Sequence, residues 1–189
     1  MSIKKESLRK EFAKKRMVNF DRIEINIYKQ VEDLLKNNPY QYKTEKYVGI
    51  YWPLKGEVNL MNLCKIEKIK FAFPSTNKNK KMNYHPFSNQ VFVKDSMGIP
   101  YPKTNNCLEP FEMSLMLVPA IAIDKHGYRL GYGGGYFDKL RSNKEWRSVI
   151  SLAVLPSSCL LNKELPKQSW DIPFDGWITE NGFERSLSK

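Results

Sequence analysis

Residues 115–138 of the chain read LMLVPAIAIDKHGYRLGYGGGYFD, an apolar run followed by a glycine-rich turn. The apolar run over 115–123 predicts a buried strand, and a helix is expected to begin near Tyr136. Four glycines fall within residues 131–135, where they allow a tight turn that points several backbone N–H groups at one place. A strand, a tight turn and a helix in this order are typical of an α/β fold.

The glycine-rich segment has two open interpretations. It is not the dinucleotide fingerprint G-x-G-x-x-G, because Tyr136 stands at the last glycine position, and it lacks the lysine and hydroxyl residue of a P-loop. A structural turn that leads into a helix therefore remains open beside an anion-binding turn. Arg129 before the turn and Asp138 after it favour the anion site, because one is a permanent cation and the other an oxygen ligand suited to magnesium.

Outward from this segment, helical and strand patterns alternate along the chain. The predicted elements, in chain order, are a helix over 2–19, a helix after an N-cap at Asp21 that ends at 37–39, a strand over 46–53, a short helix over 58–66, strands over 69–74 and 82–87 joined by a polar turn over 77–81, a loop over 98–110, and strands over 149–155 and 177–179. Strand, helix and strand in succession predict a parallel crossover, and the two N-terminal helices are expected to pack as a pair. We predict one α/β domain over residues 1–189, with three layers, a mostly parallel sheet and helices on both faces.

The composition excludes several classes of protein and favours an anionic partner. Lys and Arg number 31 against 20 Asp and Glu, a net charge of +11, which attracts phosphates, folates, nucleic acids or membranes. The three cysteines are far apart and there are two histidines, which argues against a disulfide framework, a zinc ribbon and a histidine-rich metal centre. The longest apolar run has nine residues, too few for a membrane span, and the N-terminus lacks an apolar secretory core. We therefore expect a cytoplasmic protein.

Basic residues crowd the first predicted helix. Lys5, Arg9 and Arg16 are spaced to share one helix face, where together they would grip a polyphosphate. Taken alone, however, such a charge run favours a solvated helix face.

Two further segments carry candidate binding residues. Tyr51 and Trp52 end a predicted strand and Glu57 follows at a predicted helix start, which suits a flat heterocycle with N–H donors beyond the carboxyl end of a strand. The alternative is that the aromatics belong to the core and that Glu57 is an ordinary first-turn acid. Asp171 and Asp175 lie in the final segment, where an aspartate before a proline turn is common and indicates little by itself.

Taken together, these motifs resemble the 5-formyltetrahydrofolate cyclo-ligase family over essentially the whole chain. The matching motifs, in order, are Lys5-x-x-x-Arg9, Pro53-x-x-x-Glu57, Val118-Pro119 through Asp124, Gly127 through Asp138, and Asp171-Ile-Pro-Phe-Asp175. The resemblance implies a three-layer α/β fold and an enzyme that uses ATP and Mg²⁺ to close 5-formyltetrahydrofolate to 5,10-methenyltetrahydrofolate, with release of ADP and phosphate. It also implies a monomer whose partner is a small-molecule folate, with or without a polyglutamate tail, and not a nucleic acid or a membrane.

The same resemblance implies roles for individual residues. Arg129 and Tyr136 would be catalytic; the ATP site would comprise Lys5, Arg9, Arg129, Gly131, Tyr132, Gly133, Gly134, Gly135, Tyr136, Phe137 and Asp138; the folate pocket would comprise Tyr51, Trp52, Glu57 and Tyr136; and Mg²⁺ would be bound by Asp138 and Asp171. Three positions depart from the family pattern: Gly134 stands where some members have lysine, Lys139 where arginine is frequent, and Trp170 where a polar residue is common. The glycine removes one cation, so the remaining basic residues would have to bind phosphate without it.

Two other functions remain open at this point. A nucleic-acid-binding module would use the charge of +11 and the interleaved aromatics for phosphate contacts and base stacking. A nucleotide-dependent kinase or a sugar-phosphate isomerase on a related sheet is the third hypothesis, and indifference to folates would distinguish it. The chain has no G-x-S-x-G motif, which argues against a serine hydrolase.

Overall fold

The computed structural model of the chain describes residues 3–37, 45–87 and 91–187. Its α-helices are α1, Ile3–Lys15; α2, Phe20–Asn37; α3, Tyr136–Ser142; and α4, Lys144–Ser148. Its strands are β1, Tyr47–Gly49; β2, Lys70–Thr76; β3, Met82–Pro86; β4, Phe92–Lys94; β5, Pro100–Pro102; β6, Met113–Pro119; β7, Ala122–Asp124; β8, Arg129–Leu130; β9, Ile150–Val154; β10, Leu160–Leu161; β11, Gly176–Thr179; and β12, Gly182–Arg185. Within these described ranges, no helix combines the length and the apolar character needed to cross a bilayer.

Seven strands form the central sheet, in the order β12-β11-β9-β6-β1-β2-β3. The five inner strands run parallel to one another, whereas the edge strands β12 and β3 are antiparallel to their neighbours. The parallel pairing of β1 with β2 confirms the predicted crossover, and the β2–β3 hairpin confirms the polar turn over 77–81. The predicted α/β fold with a mostly parallel sheet is therefore confirmed, while the single domain over 1–189 stays a prediction.

Side chains that alternate along β6 divide the core between the two faces of the sheet. Met116 and Val118 pack in one core cluster with Phe12 of α1, whereas Leu115 and Leu117 pack in the other cluster with α2. The two N-terminal helices therefore cover opposite faces, which agrees with the predicted layers, but the prediction that they pack as a pair is wrong. Both faces of a parallel sheet are apolar and each needs a cover, a requirement that the helices' own sequences do not reveal.

Several strand boundaries differ from the prediction. The strand predicted over 115–123 is two strands, because the chain leaves the central sheet after Pro119 and β7 then pairs with β8 and β10 in a separate small sheet. The strand predicted over 46–53 contributes three residues, β1, to the sheet. The loop predicted over 98–110 contains β5, which pairs with β4, and β12 follows the strand that was expected to be the last.

The N-terminal helices also differ from the prediction at their ends. The helix predicted over 2–19 ends at Lys15, and the residue before α2, Asn19, has a left-handed backbone with φ of 54° that separates the two helices. Asp21 is not the N-cap of α2, because the backbone N–H of Ile23 already donates to the carbonyl oxygen of Asn19 at 3.1 Å. The short helix predicted over 58–66 is a 3-10 turn, Met61–Lys65. Ser2, Asn38 and Pro39, which the predicted helix ends include, lie outside the described residues.

Candidate functional site

A cavity of about 590 Å³ lies where the chain leaves the carboxyl ends of β1, β2 and β6, the edge at which open α/β sheets bind their ligands. Every residue to which the family resemblance gave a role lines this cavity: Lys5, Arg9, Tyr51, Trp52, Glu57, Arg129, Gly131, Tyr132, Gly133, Gly134, Gly135, Tyr136, Phe137, Asp138 and Asp171. The fold thus gathers segments from both ends of the chain at one place. Which of these side chains bind a ligand stays a prediction.

Lys5 and Arg9 project from α1 into the cavity. The ammonium of Lys5 donates to Oδ2 of Asp171 at 2.6 Å, and Nε of Arg9 donates to the carbonyl oxygen of Gly131 at 2.7 Å. Nη1 of Arg9 is buried and has no hydrogen-bond partner among the described residues. Arg16, which was expected on the same face, does not line the cavity. Of the three cations predicted to bind a polyphosphate together, Lys5 and Arg9 line the cavity and Arg16 does not.

Arg129 is a partly buried cation held between two aromatic rings. Its guanidinium carbon lies 5.0 Å from the ring centroid of Phe137 and 5.2 Å from that of Phe174. Its Nε is buried and, within the described ranges, has no hydrogen-bond partner. Burial lowers the pKa of Arg129, and nearby acidic groups, Asp138 foremost, oppose that shift. Such a cation, with a buried and unsatisfied N–H, is suited to an anionic ligand.

Asp124 fixes the turn that carries Arg129. Its Oδ1 accepts the backbone N–H groups of His126 at 3.0 Å and Tyr128 at 3.1 Å, and its Oδ2 accepts that of Leu165 at 2.8 Å. The carboxylate is buried, and these three donors occupy it. Asp124 is therefore a structural member of the glycine-rich motif, since it shapes the β7–β8 turn without reaching the cavity lining.

Two glycines of the segment adopt backbone conformations that other residues rarely adopt. Gly133 has φ of 102° and Gly135 has φ of 70°. At Gly134 the constraint comes from space, because a Cβ would lie 2.5 Å from the ring of Tyr136. A lysine at this position, as the family pattern has in some members, would require that ring to move. The glycine at position 134 therefore allows the Tyr136 ring to occupy its present position in the cavity.

The two aspartates expected to bind Mg²⁺ line the same cavity but have different surroundings. Asp138 lies in the first turn of α3, whereas Oδ2 of Asp171 accepts the Lys5 ammonium and the backbone N–H of Gln168, the latter at 2.8 Å. Across the described ranges, no three His, Cys, Asp or Glu side chains group together as a metal site. Magnesium at nucleotides commonly takes one or two carboxylates together with phosphate oxygens. Two carboxylates would therefore need phosphate oxygens to complete a magnesium site, and magnesium binding by this pair stays a prediction.

Glu57 is a buried carboxylate that lines the same cavity, with 7% of its surface exposed. Its Oε2 accepts the backbone N–H of Leu54 at 2.8 Å. Burial raises the pKa of Glu57, whereas the Leu54 hydrogen bond, the nearby Tyr132 hydroxyl and the charges of Arg16 and Arg129 oppose that shift. A buried carboxylate at a cavity wall makes strong hydrogen bonds to ligand N–H donors.

Tyr51 and Trp52 add an aromatic surface beside Glu57. Tyr51 is buried, and its hydroxyl has no hydrogen-bond partner in the part of the chain that the structure describes. Burial, and secondarily the charge of Glu57, raises the pKa of Tyr51 well above its usual value, so the phenol is neutral and keeps its proton for donation. The Trp52 ring contacts Phe92 of β4, with centroids 5.4 Å apart. This wall suits a flat ligand with polar edges.

Comparison with known proteins places the chain in a family. Residues 1–180 match the 5-formyltetrahydrofolate cyclo-ligase family. The chain belongs to that family. Membership makes it a ligase that acts on a small-molecule folate, and the resemblance drawn from the motifs is confirmed.

Individual cyclo-ligases are similar to this chain at 28–31% identity over the aligned residues. The 5-formyltetrahydrofolate cyclo-ligase of Haemophilus influenzae is 28% identical over 150 residues, which cover 72% of this chain and 76% of that protein. The Escherichia coli K12 cyclo-ligase is 31% identical over 99 residues, 52% of this chain and 53% of that protein. The similarity therefore extends well beyond the glycine-rich segment.

Solved structures with the same fold include two methenyltetrahydrofolate synthetases. The NMR structure of the Aquifex aeolicus 5,10-methenyltetrahydrofolate synthetase has a TM-score of 0.79 and 28% identity, and it covers 98% of this chain and 94% of that chain. The Mycoplasma pneumoniae 5,10-methenyltetrahydrofolate synthetase has a TM-score of 0.70 at 22% identity, with coverage of 94% and 99%. The second likeness is evidence of the fold alone, and both agree with the α/β architecture of this cyclo-ligase.

Arg141 is a residue of the cyclo-ligase fold that sequence reasoning missed. It is fully buried, and it donates from Nη1 to the carbonyl oxygen of Ile172 at 3.2 Å and from Nη2 to that of Pro173 at 3.0 Å. Its guanidinium lies 4.5 Å from the ring centroid of Phe174, and burial lowers the pKa of Arg141 to about 10. These contacts fix the segment that carries Asp171. No local signal could have revealed them, because the partners are backbone carbonyls about thirty residues away.

The β4–β5 hairpin also lines the cyclo-ligase cavity, although the sequence assigned part of it to a loop. Met97 and Ile99 contribute apolar lining, and Asp95 anchors the hairpin. Oδ2 of Asp95 accepts from the backbone N–H and the hydroxyl of Thr76, and its Oδ1 accepts the N–H groups of Met97 and Ile99. An aspartate whose carboxylate accepts N–H groups of its own turn can be anticipated from the sequence. The contact of Asp95 with Thr76 at the end of β2 depends instead on the tertiary structure.

Proposed function

We propose that this cyclo-ligase uses ATP and Mg²⁺ to convert 5-formyltetrahydrofolate to 5,10-methenyltetrahydrofolate, with release of ADP and phosphate. One observation carries the proposal: a single cavity joins a wall of cations and glycines to a wall of aromatics with a buried carboxylate. The first wall has the chemistry of a polyphosphate site, and the second has that of a heterocycle site. A reaction between a phosphoryl donor and a folate needs the two side by side.

The polyphosphate wall consists of Lys5, Arg9 and Arg129 with the glycine-rich segment at 131–135. Nη1 of Arg9 and Nε of Arg129 are buried donors without a partner among the described residues, so a phosphate oxygen would satisfy both. ATP supplies the phosphoryl group that turns the poorly departing formyl oxygen into a good leaving group, after which N10 of the folate closes the ring. These residues hold the phosphates in place and neutralise their charge.

Asp138 and Asp171 would hold Mg²⁺ together with the phosphates. Two carboxylates and several phosphate oxygens are a common ligand set for this ion, which neutralises charge on the polyphosphate. Asp171 is paired with Lys5 in the structure, so Lys5 would turn to the phosphates when Asp171 turns to the metal. Asp138 needs no such exchange and is the stronger candidate.

Asp138→Asn is expected to raise the Mg²⁺ concentration for half-maximal rate by about tenfold or more, because a neutral amide is a weaker ligand for a hard dication. The measurement is the initial rate against free Mg²⁺ at saturating ATP and folate. Asp33→Asn, at an exposed position of α2, is the matched control and should not change the magnesium requirement. An unchanged requirement in a folded Asp138→Asn enzyme would remove Asp138 from the metal site.

The folate wall consists of Tyr51, Trp52 and Glu57, with Tyr136 between the two walls. Glu57 would accept N–H groups of the pterin, and the aromatic rings would contact its faces. Tyr136 follows the glycine-rich segment directly and lines the same cavity as Glu57, which supports a role for it between the two ligands. The net charge of +11 would draw in both ATP and the acidic tail of the folate. We further propose a cytoplasmic monomer without nucleic-acid or membrane partners.

The proposed reaction is tested by the near-ultraviolet absorbance of the methenyl product. Purified protein is mixed with 5-formyltetrahydrofolate, ATP and Mg²⁺, beside mixtures that lack one component each. The absorbance should grow in the complete mixture and in no other. Folded protein that leaves the complete mixture unchanged would refute the proposed activity, and salt-dependent binding of an oligonucleotide would then test the nucleic-acid alternative.

Glu57→Gln is expected to weaken folate binding by about tenfold to a hundredfold, because a charge-assisted hydrogen bond is lost. The same change should stabilise the free protein at neutral pH. Since the pKa of Glu57 is raised in the folded state, its ionised form costs folding free energy above that pKa, and the cost vanishes below the ordinary value of 4.5. Folate titration and melting temperatures against pH measure the two effects. Unchanged folate affinity would exclude Glu57 from the pocket.

A further inference from the structure

Arg16 is a buried arginine that connects two of the chain segments that line the cavity. It follows α1 directly and is 5% exposed. Its Nη1 donates to the hydroxyl of Tyr132 at 2.7 Å, and its Nη2 donates to the carbonyl oxygen of Lys55 at 2.9 Å. Its guanidinium carbon lies 5.4 Å from the Tyr132 ring centroid. One planar group thus holds a residue of the glycine-rich segment and a residue of the turn before Glu57.

The turn that Arg16 holds is the one that presents Glu57. The backbone N–H of Glu57 donates to the carbonyl oxygen of Leu54 at 2.9 Å, and the Leu54 N–H returns a bond to Oε2 of Glu57 at 2.8 Å. Gly56 has φ of 77°, and a Cβ there would lie 3.0 Å from Nε of Arg16. The turn is therefore packed against the guanidinium as well as bonded to it.

Tyr132 extends this contact toward the carboxylate. The residue is 47% exposed, and its hydroxyl accepts from Arg16. Burial and, after it, the negative charge of the neighbouring Glu57 raise the pKa of Tyr132. A hydroxyl has one proton, and because the Tyr132 oxygen accepts from Arg16, that proton is available to the neighbouring Glu57 carboxylate. Arg16 thus holds both the hydroxyl beside Glu57 and the turn that presents Glu57.

We propose that Arg16 and Tyr132 are positioning residues that hold the Glu57 carboxylate in the orientation that binds the folate. Neither needs to contact the folate, and Arg16 does not line the cavity. Because Tyr132 belongs to the glycine-rich segment, the same contacts tie the orientation of Glu57 to the polyphosphate wall. The inference rests on the proposed function, since it gives Glu57 the folate as its ligand.

The first test is a double-mutant cycle on folate affinity. Tyr132→Phe keeps the ring over Arg16 but removes the hydroxyl, and it should weaken folate binding by about tenfold in the otherwise native enzyme. In a Glu57→Ala background the same change should alter affinity by less than about twofold, because the group through which it acts is gone. Equal losses in the two backgrounds would overturn the inference.

The charged and titratable groups that face Glu57 are Arg16, Arg129, Tyr51 and Tyr132.

The second test needs no folate and so separates this inference from the proposed function. Arg16→Met should increase amide hydrogen exchange at Leu54 and Glu57 by about tenfold or more, because the turn loses its anchor. Arg16→Lys, which can reach one of the two acceptors, should restore part of the protection, and Arg22→Met at an exposed position of α2 should change neither amide. Unchanged protection in Arg16→Met would overturn the inference. A wild-type protein that binds no folate would refute the proposed function, and exchange would then decide alone whether Arg16 holds the turn.

Discussion

Replacing Arg129 by methionine is expected to lower the rate of methenyltetrahydrofolate formation by about 10²- to 10³-fold, the usual cost of one lost charge contact in the transition state. Its Nε is a buried donor with no partner in the described part of the chain, so the phosphoryl group would be its target. Methionine retains apolar contact with Phe137 and Phe174 while it removes the cation. The measurement is steady-state kcat and KM for ATP, followed through the product absorbance.

Arg22→Met is the matched control for Arg129→Met, because it removes the same charge from an exposed position of α2. It should leave kcat within about twofold of the native value. Melting temperatures of both variants establish that they fold. A folded Arg129→Met enzyme with a nearly native rate would contradict the assignment of Arg129 to the phosphoryl group and would leave Lys5 and Arg9 as the phosphate ligands to test.

Gly127→Ala is expected to destabilise the protein by about 3 kcal/mol or more, a fall in Tm of about 6–12 °C for a chain of this size. Gly127 has φ of 84°, and a Cβ there would overlap the carbonyl oxygen of Phe174 and lie 2.9 Å from Cβ of Ser186. The Phe174 N–H also donates to the Gly127 carbonyl oxygen at 2.8 Å. The clash is with backbone, so no rotamer change relieves it. Thermal or urea denaturation measures the loss.

Gly98→Ala separates the clash at Gly127 from the strain of a left-handed backbone. Gly98 has nearly the same φ, 77°, but a Cβ there would meet no atom within 4 Å. It should therefore cost about 1–2 kcal/mol, the conformational part alone. Equal losses for the two variants would mean that the contact with Phe174 contributes nothing. Because Phe174 also packs on Arg129, Gly127→Ala should lower activity more than its loss of stability explains.

Much of the fold could be predicted from local patterns. The apolar runs over 69–74 and 149–155 are strands of the parallel sheet, and the helix predicted at Tyr136 begins there. These patterns work because a strand buried on both faces must be apolar throughout, and because glycines mark where the chain can turn. The hairpin around 77–81 follows from the same reasoning, since polar turn residues there separate two strand-forming runs.

The candidate site was predictable in its membership but not in its geometry. The residues to which the family resemblance gave ligand roles line the cavity, because strand ends and the glycine-rich segment meet at one edge of a parallel sheet. The hydrogen-bond and ion-pair partners of each side chain were not predictable. Lys5 is paired with Asp171, and Arg16, which shares its helical spacing, turns away to Tyr132 and Lys55.

Local sequence patterns were enough to predict most strands of the parallel sheet, the glycine-rich turn, the family motifs and the excess of positive charge, because periodicity, backbone freedom and charge are properties of neighbouring residues. Tertiary structure alone decided that α1 and α2 cover opposite faces, that Arg141 fixes the segment bearing Asp171, and that Arg16 lies behind Glu57. In each case an arginine or a helix meets its partner across the fold, often at a backbone carbonyl that every residue type possesses. Such contacts depend on the packing of both faces of the sheet, and the spacing of residues along the chain does not predict them.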